Sequence, residues 1–448
     1  MAGLCLWGAG VQVGEALGAA GMGLTVIGLA WLQLDRRSPR LRAPAPATDA
    51  RAAPTTDARA APATDARAAP ATDARSAPTA DERPTDAQNR FAPLRAYWPL
   101  GAYVAWALAA PLVAGELPSS AGLFRTLDWA FVAVGALAFS ELGALGRRAV
   151  AIACGAALLT SCLAAALQFF GAWPSREAME PLAFLRIPFD RVYEPASADS
   201  TSHFMAGGLL FHRLKFAGVS GVFTLWAVAL AVELRGRERI AATAVATTGA
   251  LSVLVFPVAR AAALALLVAI AFTAALASPR RRIALALGGG LLVLGGAAAA
   301  LNPEMRARVA AATSVTGDED RVYLRRAAMV AMVKHPVVGL GAGRYHAFDY
   351  ISPDSPESVR THPGKAHLQL LSIAVEAGVP GAAIFLAMLI WLAARLWSRQ
   401  AAAGLGVLLY LALTGLLHDP LFHAETSMAI AFGLAASLRS FEGPPRRG

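Results

Sequence analysis

Lysine, cysteine and charge are all scarce in this chain of 448 residues. Only Lys215, Lys334 and Lys365 are lysines among its 40 basic residues; the rest are arginines. Charged residues make up 16% of the sequence against 56% hydrophobic, too apolar a balance for soluble domains. The three cysteines, Cys5, Cys154 and Cys162, sit in apolar stretches without a CxxC pair or a histidine at metal spacing. That excludes a disulfide scaffold and leaves buried free thiols. Residues 1–34 lack the basic n-region of a cleavable signal peptide. A net charge of +10 would admit a nucleic-acid partner. However, the arginines gather in one linker and just outside apolar runs, where they set membrane topology. The expectation is therefore membrane lipid and no nucleic acid.

What the sequence does hold is apolar runs of about 20 residues, the length that crosses a bilayer. They recur at 18–34, 97–115, 121–143, 149–171, 204–234, 240–257, 261–278, 283–301, 367–396, 401–418 and 421–438. Residues 4–14 are too short to cross and are expected to form a hairpin with 18–34. The predicted fold is an all-α, polytopic membrane helical bundle of about 11–12 spans with a helical outer loop. Its regions are an N-terminal membrane segment 1–35, a linker 36–95, a transmembrane core 96–301, a large loop 302–366, and C-terminal membrane helices with a short tail, 367–448.

The linker repeats an octapeptide close to Ala-Pro-Ala-Thr-Asp-Ala-Arg-Ala, with Pro46, Pro54, Pro62, Pro70 and Pro78 spaced by eight. No aromatic residue occurs between Trp31 and Phe91. Such a segment has too little apolar surface to offset its ordering entropy, so a disordered cytoplasmic spacer is expected. Arginine bias then orients the chain. Clusters at 36–42, 147–148, 235–239, 280–282, 395–399 and 446–447 mark the cytoplasmic loops, while the alternate short loops hold only Arg260. Residues 172–203 and 302–366 fall on the outer side.

The histidines, His203, His212, His335, His346, His362, His367, His418 and His423, are all expected on or near that side, which suggests an outward-facing polar cavity. Arg260, between two spans, is the most informative charge, because arginine at membrane depth is costly. Asp318-Glu319-Asp320 resembles a metal-binding DxD, yet it precedes a helical stretch from about Arg321 to Lys334, and acidic residues suit a helix start. No metal or other cofactor is expected. Gly339-Leu340-Gly341-Ala342-Gly343 follows a helix and not a strand, which excludes a dinucleotide fingerprint.

His335-Pro336-Val337-Val338-Gly339-Leu340-Gly341-Ala342-Gly343 resembles the glycine-rich turn of the O-antigen ligase and O-antigen polymerase superfamily. Ala366-His367-Leu368-Gln369-Leu370-Leu371, followed by Glu376-Ala377-Gly378-Val379-Pro380-Gly381, is similar to that family's histidine and E-x-G-x-x-G signature. Arg260 and Arg321 match its two arginines, and Gly208 to Ala217, with His212 and Lys215, resembles a further element. Leu368 stands where the family usually has Asn, and Ala259 where it has Ser.

The resemblance implies a multi-pass protein of the bacterial inner membrane. It would move a glycan from an undecaprenyl pyrophosphate carrier to a sugar hydroxyl on the periplasmic side. The acceptor would be lipid A–core for a ligase or a second carrier-linked chain for a polymerase. A transporter and a non-catalytic assembly subunit are the other readings. In the transferase reading His367 is the base, Arg260 and Arg321 hold the pyrophosphate, and Arg191, Lys215, His212 and His362 are further substrate-binding candidates. Glu376, nine residues past His367, would sit about 13 Å deeper if the segment is one helix.

Overall fold

The computed structural model describes residues 1–13, 15–37, 96–115, 117–173, 203–278, 319–361 and 365–439, with isolated positions at 289–290, 293 and 297. The chain divides into two units, residues 1–29 with 97–448, and residues 30–96. Of the second, only the last turns of one helix and Ala96 are described. The repeat linker, Arg191, His362 and most of the expected span 283–301 lie outside the described residues.

The described residues form helices and no β-strand. In chain order they are α1 (Ala2–Gly10), α2 (Glu15–Arg37), α3 (Trp98–Val113), α4 (Ser120–Ser140), α5 (Ala144–Phe169), α6 (Arg213–Glu233) and α7 (Gly236–Val255). There follow α8 (Arg260–Ala277), α9 (Glu319–Lys334), α10 (Glu357–Thr361), α11 (Gln369–Ser398), α12 (Ala402–Gly415) and α13 (Ala424–Arg439). Six of them, α4 to α8 and α11, are long and apolar enough to cross a membrane; Leu17–Ala30 of α2, together with α3, α12 and most of α13, adds shorter apolar stretches. The chain is a polytopic helical membrane protein.

The bundle is built around α6. Some 78% of its apolar window is buried, against 33% for α7, so α6 is a central helix and α7 a peripheral one. It packs on α7, α8, α12 and α13, while α13 packs on α4, α8 on α12, and α3 on α11. Phe432 of α13 anchors the interior. Trp7, Phe139 and Trp226 meet its ring edge-on at centroid distances of 5.5–5.9 Å, and Phe223 lies tilted against it, the arrangements ring quadrupoles favour. The expected N-terminal hairpin forms: Gly3 and Gly21 let α1 and α2 approach so closely that a Cβ at Gly21 would strike the Trp7 backbone.

The loop between α8 and α11 has a small core of its own. Leu324, Ala328 and Ala331 of α9 bury against Tyr345, Ala347, Val359, Ala366 and Val375. Asp320 accepts a hydrogen bond from the Ser358 hydroxyl at 3.0 Å, joining the start of α9 to α10.

One expectation fails in an informative way. Residues 369–398 are not a single helix, because Gly378 has φ 72° and ψ 171°. The chain breaks there because the glycine turn after α9 inserts into it. The Leu340 N–H donates to the Val375 carbonyl and the Gly341 N–H to the Glu376 carbonyl, while the Val379 N–H donates to the Pro336 carbonyl, at 2.8–2.9 Å. Pro380 then opens the second half of α11, where its missing N–H costs nothing. A Cβ at Gly378 would collide with the Val337 carbonyl. The two glycine motifs are thus each other's docking surface, and Glu376 ends a short helical segment.

Candidate functional site

A cavity of about 480 Å³ opens where α6, α8, α9 and the loops before α11 and α13 meet. Its size suits a small ligand or the head of a larger one. Arg213, Arg260, Arg321, His367 and His418 line it, with Tyr410, Thr414 and Thr426 behind them. Three expected site residues, Arg260, Arg321 and His367, are therefore brought together from three separate stretches of sequence between positions 260 and 367.

Each arginine stands at the start of a helix. Arg213 is the first residue of α6, Arg260 the first of α8 and Arg321 the third of α9. Helix starts expose backbone N–H groups and carry the positive end of the macrodipole. The cavity also takes in Leu214, Ala261 and Ala262, the next residues of α6 and α8, so peptide dipoles and guanidiniums converge on one space. That combination favours an anion with several oxygens.

Local sequence explains these starts. The turn before α6 is held by Gln168, whose amide donates to the Gly208 carbonyl at 2.8 Å and accepts from the Gly207 N–H at 2.9 Å. Gly208 has φ 57°, where a Cβ would meet Phe216 and Ser161. His212 then caps α6, its Nδ1 accepting from the Lys215 N–H at 3.4 Å. Before α8, Val258 adopts φ 50°, a strained choice for a β-branched residue. Among the described residues four non-glycines have positive φ; Val258 and His367 line the cavity, and Phe211 directly precedes His212.

His367 (φ 53°) is fixed from two sides. Its backbone N–H donates to Asp419 Oδ2 at 2.8 Å, and its Nδ1 lies 3.3 Å from His418 Nδ1 with the ring planes 21° apart. Burial, then the Arg321 and Arg325 guanidiniums, lower the His367 pKa to about 4. His418 is pushed down to about 3 by burial, then by His423, His367, Arg321 and Arg213. Both imidazoles are neutral near pH 7. Burial raises Asp419 to about 6, with the Ser372 hydroxyl and the His367 N–H opposing it.

The other expected residues are placed differently. Lys215 is not in the cavity lining; its Nζ donates to Glu425 Oε1 at 2.7 Å. His212 serves as the α6 cap, and its ring lies tilted against that of His423 at a centroid distance of 4.9 Å. Glu376 pairs with Arg125 at 3.4 Å, both side chains nearly buried, and the Arg125 guanidinium lies 4.1 Å above the Phe422 ring. Sequence reasoning placed His418 only among the outer-side histidines and assigned no role to Arg213, Asp419 or Arg125. Signals existed: Arg213 follows His212 inside a quoted element, His418-Asp419-Pro420 interrupts two apolar runs, and Arg125 is a charge within a span. Among the described residues no cluster of histidine, cysteine and carboxylates could hold a metal ion.

Residues 245–386 match the family model described as O-antigen ligase, which supports membership of that superfamily. The match contains Arg260, Arg321 and His367, and it leaves Arg213, His418 and Asp419 outside. A comparison with curated proteins found no match.

Proposed function

We propose that this membrane protein, carrying an O-antigen ligase family region, is a ligase. It would transfer a glycan from undecaprenyl pyrophosphate to a hydroxyl of lipid A–core at the periplasmic face of the bacterial inner membrane. The observation that carries this reading is the convergence of Arg213, Arg260 and Arg321, each in the first turn of a helix, on the cavity lined by His367. A sugar–pyrophosphate bond is already activated. When it breaks, the electron pair leaves on the pyrophosphate oxygen, and fixed guanidiniums and helix dipoles stabilise that charge as it develops. His367 takes the proton of the attacking hydroxyl as the new glycosidic bond forms.

The electrostatics link the two halves of the reaction. Burial first, and then the Arg321 and Arg325 guanidiniums, depress the basicity of His367. A bound pyrophosphate offsets their field, so the base strengthens when donor is present.

The test is transfer by purified full-length protein from a synthetic undecaprenyl-pyrophosphoryl glycan, with lipid A–core or a second carrier-linked glycan as acceptor. Product on lipid A–core is expected. A lengthened carrier-linked chain would make the protein a polymerase, and no product with either acceptor would overturn the transferase reading.

A further inference from the structure

We propose that His418 is a positioning residue for this transfer, orienting His367 through a hydrogen bond between their Nδ1 atoms. The inference rests on the reading of His367 as the base. His418 lies outside the family-matched residues, in the short loop between α12 and α13, and reaches His367 across 51 positions of sequence.

The geometry is specific. The two Nδ1 atoms are 3.3 Å apart, within hydrogen-bonding range for one shared proton. His367 therefore has only Nε2 left with which to meet an acceptor hydroxyl. A base must offer a bare nitrogen, so the shared proton belongs on His367 Nδ1, donated to the lone pair of His418 Nδ1. His418 Nε2 is buried without a hydrogen-bond partner among the described residues, so the Nδ1 contact is the hydrogen bond that can hold this ring. The ring planes are within 21° of each other at a 5.5 Å centroid separation, so the rings meet edge to edge through the two Nδ1 atoms, which restricts rotation of His367 about χ2. Its backbone, in a left-handed conformation, is anchored by the neighbouring Asp419. Adjacent residues thus hold main chain and side chain separately.

During transfer the acceptor O–H bond breaks and its proton goes to His367 Nε2. The oxygen's electron pair forms the new C–O bond, and the old sugar–phosphate bond leaves its pair on pyrophosphate. His367 becomes an imidazolium whose Nδ1–H still points at the neutral His418 acceptor. The imidazolium then returns its proton to the departing pyrophosphate. This is the base-plus-orienter arrangement, with imidazole in the place usually taken by a carboxylate.

Three full-length variants test the assignment. Asn places an amide oxygen where Nδ1 of histidine lies; Gln places its amide near Nε2; Leu has neither. With the synthetic undecaprenyl-pyrophosphoryl donor and lipid A–core, His418→Leu should lose about ten- to hundredfold in kcat, the scale of an orienting partner. Its KM and its affinity for undecaprenyl pyrophosphate should be little changed. His418→Asn should recover most of that loss and His418→Gln should not. If the Leu variant fails to accumulate in the membrane, the contrast between Asn and Gln decides. Equal activity of Asn and Gln, or unaltered turnover by Leu, would overturn the role. His367→Ala separates this failure from the larger one: if it turns over normally, the base assignment itself is wrong. If it is inactive while His418→Leu is not, only the inference about His418 falls.

Discussion

The cavity and the glycine lock sit at opposite ends of one short helical segment, Gln369–Ala377, and they use charge in opposite ways. At the lock, Arg125 and Glu376 neutralise each other in a nearly buried pair, and backbone hydrogen bonds tie two glycine turns together. At the cavity, three arginines at helix starts line an open space beside a neutral histidine. The difference teaches that residues of one signature divide between chemistry and architecture. His367 and Glu376 are close in sequence, yet one faces the ligand space and the other holds the wall.

The largest expected effect that would sharpen this contrast comes from His367→Ala. It should lower the transfer rate by about 10²–10⁴, with undecaprenyl pyrophosphate still bound, as expected for a lost general base. Loss of donor binding together with turnover would move His367 into the phosphate clamp.

Glu376→Ala should do the converse. Leaving Arg125 buried without its carboxylate costs about 3–5 kcal/mol, seen as a lower unfolding midpoint in detergent, with turnover per folded molecule nearly retained. Undiminished stability with abolished turnover would break the division between the two regions.

Arg260→Lys and Arg321→Lys should each weaken undecaprenyl pyrophosphate binding by about ten- to hundredfold. Lysine keeps the charge but loses the bidentate fork, and a hydrogen bond to a charged group is worth about 1.5–3 kcal/mol. Wild-type affinity in both variants would show that the cavity is not where the pyrophosphate sits.

A smaller effect is expected in the pH profile. His367 must be neutral to act, and burial and arginines hold its pKa at about 4. The acid limb of kcat/KM, which reports the free enzyme, should therefore lie well below the 6.5 of an ordinary histidine. The sign for stability agrees: a depressed histidine pKa contributes stability above pH 6.5 that is lost as pH falls toward 4. An acid limb at 6.5 would mean that the base is a solvated histidine elsewhere. The smallest effect is none at all: EDTA should leave transfer unchanged, and loss of activity restored by Mg²⁺ would overturn the reading that guanidiniums and helix dipoles alone stabilise the departing pyrophosphate.

Much of this was legible in the sequence. Apolar runs predicted the helices, and the singular position of Arg260 between two spans marked it as a candidate site residue. Arg321 and His367 could be nominated from short motifs. Lys215 and His212 were nominated on the same grounds, but Lys215 is paired with Glu425 and His212 caps α6, because residue type alone does not reveal the partner. The kink at Gly378 was signalled by Gly378 and Pro380; what hid it was the apolar continuity of residues 367–396, which reads as one span.

The sequence by itself determined the class of protein, the places where helices form, and the kinds of charge available. Those properties are local, since burial and turn preference depend on each residue and its near neighbours. Only the tertiary structure decided that Arg213, Arg260, Arg321, His367 and His418 share one cavity while Arg125 and Glu376 do not. Helix packing brings together residues separated by tens to hundreds of positions, and no periodicity within a helix records which distant helix start it will face.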